Sequence, residues 1–378
     1  MGNLKGRALT IFVLVLWKHL GFGQTIVTPP MWTTLEQVTS LVKDPKQPNH
    51  LQFAIRTFIH ARNNVLPLKL GNDERLPPIN FHGDCAYFAD YRMKELSLSH
   101  RRWTLRHGYG KADFYEGNRD AAQLYLDTMS VGANPQKDYD VNASLSRTFL
   151  RRWTLEYTAP LKRGQGQFSV AFHWLRVHRL QKGTLTGQMS LGQFDGDLLL
   201  LTTRGLPSSE TKSNGVSVDF SAVAPIGERI KLGIWCENAF SKIWQRRLQQ
   251  ITAKVSTNKV EPDADGFLHA VPFLQGRIEK VSMEARAKQI WVVGAAFKQG
   301  GEKDWVLIAK GETNWHIGIG CIFSFDREKR IWVMFNAPQP FWQVGISTSH
   351  FQFLLGVDKW STTEAKEIAT VVRLHWTF

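Results

Sequence analysis

The sequence predicts a mainly β fold: an antiparallel transmembrane β-barrel of about 12–14 strands with a small N-terminal helical segment. Two observations predict it. From about residue 93 to the end of the 378-residue chain, apolar residues mostly alternate with polar ones, which is the period of a strand with two unlike faces. The chain also contains 14 Trp and 23 Phe, and aromatic residues form girdles where a barrel meets the membrane interfaces.

The bulk composition excludes some classes of protein. Hydrophobic residues make up 43% of the chain and the mean hydropathy is −0.25, which excludes a membrane protein of many helices. The net charge of +14 predicts attraction to an anionic partner, such as lipopolysaccharide phosphates, an anionic solute or a polyanion. No nucleic-acid-binding module is recognisable, so we expect no nucleic-acid partner.

Residues 1–23 have the pattern of a cleavable signal peptide. Lys5 and Arg7 precede an apolar run over 9–17, and Gly21 and Gly23 supply small residues for cleavage before Gln24. The run is shorter than the roughly 20 apolar residues that a membrane-spanning helix needs. We therefore expect an exported protein.

Residues 24–92 are predicted to be the helical segment. Thr33 and Glu36 have the spacing of a capping box, so a first helix starts there and ends at Asp44. Apolar residues at helical spacing predict a second helix over about 49–65. Such a segment would plug the lumen, lie outside the barrel, or cap one of its open ends.

The barrel is predicted to occupy residues 93–378. A short helix interrupts the strands over 118–129, and residues 240–255 fit either a long strand or an amphipathic helix, with the helix slightly favoured. A soluble protein built from two packed β-sheets would show the same alternation and remains the alternative architecture. The cleanest alternation places Val216, Val218 and Phe220 opposite Ser217 and Asp219.

The last ten residues carry a polar row and an apolar row that ends on Trp376 and Phe378. This terminal Phe with alternating apolar residues before it resembles the closing-strand signal of Gram-negative outer-membrane β-barrel proteins. The resemblance implies location in the bacterial outer membrane, contact with its lipid and lipopolysaccharide, and recognition of the last strand by the barrel-assembly machinery. It also implies that residues 24–92 plug the lumen or lie in the periplasm. It identifies no particular family.

A five-residue string occurs twice, at 101–105 and 151–155, and reads Arg-Arg-Trp-Thr-Leu. Two equivalent strands, each with a Trp and an Arg near an interface, would explain the repeat, and so would coincidence. We expect Arg101 and Arg151 to meet lipopolysaccharide phosphates. The full set of interface candidates is Arg101, Trp103, Arg151, Trp153, Trp376 and Phe378.

Cationic residues lie on the rows opposite the apolar ones, so they would project into the lumen of a barrel whose apolar rows face lipid. A cationic lumen concentrates anions and repels cations. Alternatively, these cations pair with inward carboxylates such as Glu156 and fill a closed barrel. The lumen-facing candidates are Arg102, Arg106, Arg152, His173, Asp219, Lys231, His316, Arg373 and His375.

The sequence thus predicts a channel or export pathway for an anionic solute or polymer. The alternative is an outer-membrane anchor or docking component of a larger envelope assembly, with a closed lumen. No catalytic motif is recognisable, so we expect no enzyme; an outer-membrane hydrolase that uses His173, His178 or Asp219 is the alternative. The three Cys residues have no ligand spacing, so we expect neither a metal site nor a cofactor.

Overall fold

The structure is a computed structural model of the whole chain. It describes residues 25–26, 41, 50–63, 85–130, 137–161, 166–190, 193–203, 213–262, 268–299, 302–311, 315–325, 329–337, 340–360 and 365–378. The predicted signal peptide and the predicted capping box at Thr33 lie outside these residues. In the part of the chain that is described, no helix is long and apolar enough to cross a membrane.

Strands dominate the described residues. In chain order they are β1 (Thr25–Ile26), β2 (Gln52–Asn63), β3 (Cys85–His100), β4 (Trp103–Asn118), β5 (Tyr139–Pro160), β6 (Gln167–Ser190), β7 (Gln193–Thr202), β8 (Ser213–Ile226), β9 (Ile230–Pro262), β10 (Leu268–Ala287), β11 (Ile290–Lys298), β12 (Lys303–Gly311), β13 (Trp315–Ser324), β14 (Arg330–Ala337), β15 (Phe341–Ser347), β16 (Phe351–Val357) and β17 (Glu367–Thr377). The helix α1 (Arg119–Ser130) follows β4, close to the predicted short helix at 118–129.

Fourteen of these strands close into a ring. From β2 to β6, then β8 and β9, then β11 to β17, each strand pairs antiparallel with the next, and β17 pairs back with β2. A closed ring leaves no edge of unpaired backbone amides, each of which would cost several kcal/mol in lipid. The predicted antiparallel barrel of 12–14 strands is therefore confirmed.

Two further strands extend the sheet beyond this ring at one end of the barrel. The strand β7 pairs with the far end of β6 and with β9, and β10 pairs with β9 over 243–262. Both lie at the end opposite to the short turns, such as Arg101–Arg102 between β3 and β4. We call these two ends the loop end and the turn end. In outer-membrane barrels short turns face the periplasm and longer loops face outward.

Alternate residues along the strands form an outer row and an inner row. In β6, Phe172 and Trp174 are 46% and 54% exposed, whereas Ala171 and His173 between them are 7% and 2% exposed. The exposed residues of neighbouring strands are register partners, as Leu155 is of Phe172, so they form a continuous apolar belt around the ring. Such a belt is stable against lipid and costly against water. The closed ring and its outward belt place the chain in an outer membrane.

The inner rows pack a large apolar cluster within the barrel. Leu41, from the N-terminal segment, belongs to this cluster and is fully buried. A Cβ atom added to Gly294 of β11 would lie 2.8 Å from Leu41 Cδ1, so this glycine leaves the space that Leu41 fills. The cluster consists of Leu41, Phe58, Ala89, Tyr91, Ala112, Val223, Ile290, Val292, Ala296, Val306, Ile308, Ile322, Trp332, Met334, Leu354 and Val371.

The predicted second helix at 49–65 is wrong, because these residues form β2. Ile55 and Ile59 lie on its outer row, and Phe58 lies on its inner row among the apolar cluster. A strand that is apolar on both faces has no clear two-residue period, and its apolar positions also fit a helix. The ring therefore includes 52–63 and 85–92, and the predicted boundary before residue 93 falls within β3.

The helix favoured over 240–255 is also wrong, because this stretch is part of β9. Its backbone pairs with β7, β8 and β10. Asn238 and Arg247 have positive φ angles of 51° and 58° close to two shifts of register, so β9 contains bulges there. A bulge inserts a residue and breaks the alternation, which is why Trp244, Leu248 and Ile251 recur at helical spacing.

Trp332 of β14 lies across the face of its register partner Gly345 of β15, so a methyl group at 345 would overlap the indole ring. We expect Gly345→Ala to lower the free energy of unfolding by about 1–3 kcal/mol through overpacking. Urea titration in lipid vesicles, read from the gel mobility of the folded and unfolded forms, would measure it.

Gly110→Ala is the matched control, because its added methyl group would meet Met93 Sδ at an ordinary 3.5 Å. Equal stability of the two variants would contradict the described packing of Trp332.

Candidate functional site

A buried carboxylate on β3 is the centre of the polar residues inside the barrel. Glu95 Oε1 accepts a hydrogen bond from Arg56 Nη2 of β2, and Glu95 Oε2 accepts one from Arg152 Nη2 of β5, each at 2.9 Å. Arg56 and Glu95 are register partners. Both contacts are charge-assisted, which makes them stronger than hydrogen bonds between neutral groups.

Gly108 of β4 makes the second of these contacts possible. It is the register partner of Glu95 on one side and of Arg152 on the other. A Cβ atom there would lie 2.5 Å from Met93 Cε and 3.6 Å from Glu95 Oε2. Because Gly108 has no side chain, Arg152 reaches over β4 to Glu95, two strands away.

Next to this centre, Arg106 of β4 forms an ion pair with Glu156 of β5. The side chains of both residues are largely buried, and both lie on inner rows. Together with Glu95, Arg56 and Arg152 they form one ionic network across β2–β5. Its three guanidinium groups outnumber its two carboxylates by one, and the carboxylate of Asp219, which lines a cavity together with these guanidinium groups, offsets this difference.

A second polar chain continues the network onto β6 and β8. His173 Nδ1 lies 2.7 Å from Thr154 Oγ1, and His173 Nε2 lies 2.7 Å from Asp219 Oδ2. Asn238 lies at the first bulge of β9. Its backbone N–H donates a hydrogen bond of 2.7 Å to Asp219 Oδ1. Thr154 and His173 are only 1% and 2% exposed, so this arrangement joins strands and offers no accessible nucleophile.

A separate ion pair joins the two strands that close the ring. Glu367 of β17 contacts His60 Nε2 at 3.0 Å and Arg62 Nε at 3.2 Å, both on β2. The His60 ring stacks on Tyr91 of β3 with centroids 5.8 Å apart. Among the described residues no group of three or more His, Cys, Asp or Glu side chains is placed to hold a metal ion.

A cavity of about 120 Å³ lies inside the barrel on the loop-end side of the ionic network. Its turn-end side is lined by polar residues, namely Arg56, Arg106, Arg152, His173, Ser217, Asp219, Glu237 and Asn238. Nearer the loop end Arg92 and Lys111 also line the cavity, but most of the lining residues there are apolar. They include Met93, Ala112, Leu150, Leu175, Val177 and Ile243. The cavity is therefore polar, with charges of both signs, at one side and mostly apolar along the other.

The structure brings four predicted lumen residues together in this region: Arg106, Arg152, His173 and Asp219. The prediction for Arg102 is wrong. It lies exposed in the turn between β3 and β4, where its guanidinium donates to the Tyr157 hydroxyl at 3.3 Å. Four further candidates lie apart from the cavity on the inner rows of β9, β13 and β17. They are Lys231, His316, Arg373 and His375. A role of these residues in solute selection stays a prediction.

Sequence reasoning missed Arg56 and Glu95, which hold the network together. Arg56 was not predicted to face the lumen because a helix was predicted over about 49–65, where the structure has β2. Read as a strand, Ala54, Arg56, Phe58 and His60 alternate with exposed Ile55 and Ile59, and this signal would have placed Arg56 inside. Nothing in the sequence distinguishes Glu95 from an ordinary exposed carboxylate.

The interface candidates fall at both ends of the belt. Arg101, Trp103, Trp376 and Phe378 lie at the turn end, whereas Arg151 and Trp153 lie toward the loop end. The repeated string is inverted in space because β4 and β5 are antiparallel. The two Arg-Arg-Trp copies thus lie at different heights on the outer surface, and contact with lipopolysaccharide stays a prediction.

No family model and no curated protein matches the sequence. Among solved structures, the Ralstonia pickettii toluene transporter TbuX is similar, with 11% identity over 95% of this chain and 96% of that one and a TM-score of 0.48. The P. putida toluene transporter TodX is 9% identical over 88% and 91%, with a TM-score of 0.45. The Escherichia coli outer-membrane protease OmpT is 7% identical over 88% and 97%, with a TM-score of 0.25.

All three similar proteins are β-barrels of the bacterial outer membrane, the class predicted from the sequence. At identities of 11% or lower and TM-scores of 0.48 or lower, the likeness carries no argument about a solute or a reaction. The class is established here by the closed ring of 14 strands and its outward apolar belt. Function has to be argued from the residues inside the ring.

The network yields a stability prediction. In Glu95→Gln the buried guanidinium groups of Arg56 and Arg152 lose their counter-charge, so we expect the free energy of unfolding to fall by roughly 3 kcal/mol. The control is Glu279→Gln, which breaks an exposed ion pair with Arg277 and should cost less than about 1 kcal/mol. Urea titration in lipid vesicles measures both, and equal losses would contradict a central role of Glu95.

Proposed function

We propose that the chain is an outer-membrane channel for a small amphipathic organic solute with an apolar body and a polar or anionic head group. The cavity carries this proposal, because Arg56, Arg106 and Arg152 lie at one side and apolar side chains line the other. An apolar cavity of about 150 Å³ is large enough to bind benzene. The cavity of about 120 Å³ is smaller than this, so it admits at most one ring or one end of a longer molecule.

The preference for an anion rests on the three guanidinium groups that line the turn-end side of the cavity, against the two lining carboxylates of Asp219 and Glu237, and not on a ring of free cations. Arg56 and Arg152 are bonded to Glu95, and Arg106 is bonded to Glu156. This pairing is the alternative that the sequence left open for inward cations. It favours a modest selectivity for anions, and it gives no support to the export of an anionic polymer.

Passage through the barrel would require the N-terminal segment to move. Leu41 is fully buried in the apolar cluster and fits against Gly294. Its position supports a plug formed by the stretch before β2, since the described residues from 52 to 92 belong to the ring. The apolar contacts of Leu41 can break at a cost set by the apolar area that their loss exposes.

The same cluster favours the second candidate function, an outer-membrane anchor or docking component with a closed lumen. Side chains from most strands of the ring pack together with Leu41 and fill that part of the interior. A barrel with a permanently filled interior would pass no solute. Transport measurements separate the two functions directly.

The test is flux through purified barrels in liposomes, with benzenesulfonate as an amphipathic anion that crosses lipid poorly. We expect faster entry of benzenesulfonate than of arabinose or of trimethylphenylammonium, a cation of similar size. Leu175→Trp would fill the cavity and lower benzenesulfonate flux roughly ten-fold, since an indole takes the space of one ring.

Leu199→Trp is the matched control, because Leu199 is exposed on β7 and does not line the cavity. It should leave the flux unchanged. No flux above that of empty liposomes, from barrels that show the gel mobility of the folded form, would contradict the channel and favour the anchor. Equal effects of the two substitutions would contradict the role of the cavity.

A further inference from the structure

A row of three cationic residues and one tyrosine lies on the outside of the barrel, away from the cavity. Lys94 of β3 pairs in register with Tyr109 of β4, Tyr109 pairs with Arg151 of β5, and Arg151 pairs with Arg176 of β6. All four side chains are exposed. We call these four residues the cationic row. At about 4.8 Å between neighbouring strands, the row spans roughly 14 Å around the barrel.

The cationic row marks the loop-end border of the apolar belt. The next outer positions toward the turn end are Leu96, His107, Trp153 and Trp174, which are again register partners. Trp153 and Trp174 are both about half exposed, and the His107 and Trp153 rings lie 4.1 Å apart. Tryptophan at this height is typical of the level where hydrocarbon meets lipid head groups. The cationic row therefore borders the Trp-bearing end of the apolar belt on these four strands.

The outer positions just beyond the row have their own counter-charges. Asp90 contacts Arg92 and Lys111, and Asp113 contacts Lys111 and Arg147. These carboxylates are nearly buried by the side chains that pair with them. Each cation of this neighbouring cluster thus has a carboxylate partner within the protein, although its three cations outnumber the two carboxylates by one.

The cations of the row itself have no such counter-charge. Within the described residues, no carboxylate lies in salt-bridge distance of Lys94, Arg151 or Arg176. Arg151 and Arg176 are directly opposite each other on paired strands, an arrangement in which like charges are destabilising. An anion from outside the protein would remove this repulsion.

We propose that the cationic row binds the phosphate groups of lipid A, the glycolipid of the outer leaflet. The row lies toward the loop end, which faces outward in barrels of this class. Arginine binds phosphate through two parallel hydrogen bonds, and Lys94 adds a point charge at the other end of the row. Three cations over this span fit a head group with two phosphates better than a phospholipid with one. The tryptophans below the row would contact the acyl chains.

Lipid A binding by the purified barrel, measured by native mass spectrometry in detergent, tests the proposal. We expect the wild-type barrel to bind bisphosphorylated lipid A about ten-fold more tightly than lipid A with both phosphates removed. This comparison depends on no variant. The double variant Arg151→Gln, Arg176→Gln should bind bisphosphorylated lipid A about as weakly as the wild type binds the dephosphorylated form.

The control variant removes two exposed guanidinium groups at the turn end, Arg101→Asn with Arg229→Gln. Asn tolerates the positive φ angle of 51° at residue 101. This control should bind lipid A as the wild type does. Equal binding of the phosphorylated and dephosphorylated forms would overturn the proposal, and so would equal loss in both double variants. Equal binding of phosphatidylglycerol would overturn the choice of lipid A as the partner.

Discussion

The structure depends on one constraint, which is that backbone N–H and C=O groups surrounded by lipid must all bond to each other. Only a closed ring of strands satisfies them without a helix. The pairing of β17 with β2 closes the ring through residues about 300 positions apart in the chain, such as Glu367 and Arg62. Because the ring fixes strand order and register, it also decides which side chains face lipid and which face inward.

Inward polar residues follow from the same constraint. A charge inside the barrel has little water around it, so it needs a partner on a neighbouring strand. Gly108 lets one carboxylate, Glu95, serve two guanidinium groups that lie on either side of β4. The resulting network bounds the cavity on its turn-end side, and the apolar inner rows bound it toward the loop end. The amphipathic character of the cavity is thus a consequence of where the network stops.

The exposed side of the same strands shows how register can also concentrate charge. Arg151 and Arg152 are neighbours in sequence, yet one faces outward beside Arg176 and the other bonds to Glu95 inside. Each cation contributes to a different surface because successive side chains of a strand point to opposite faces. The net charge of the chain is therefore divided between the interior and the membrane border.

The sequence alone predicted the class of fold because alternation is strong where one face is apolar, as in Phe172 and Trp174 against Ala171 and His173. It failed for β2, whose inner Phe58 obscures the two-residue period, and for β9, whose bulges at Asn238 and Arg247 shift it. The sequence predicted only part of the ionic network across β2–β5, for a related reason. Arg106, Arg152 and Glu156 stood out on polar rows, but Glu95, the partner of Arg152, is selected by register across β3, β4 and β5.

Closure of the ring is the central claim, and a cross-link between β2 and β17 tests it most directly. Ile55 and Leu374 are register partners on the outer row, so paired residues there lie about 4.5–5.5 Å apart between Cα atoms, within the range of a disulfide. In a chain with its native cysteines replaced by Ala, Ile55→Cys with Leu374→Cys should oxidise to a disulfide inside the folded barrel. Ile55→Cys with Arg373→Cys should not, because those side chains point to opposite faces. Cross-linking of the second pair, or of neither, would contradict the closed ring and its register.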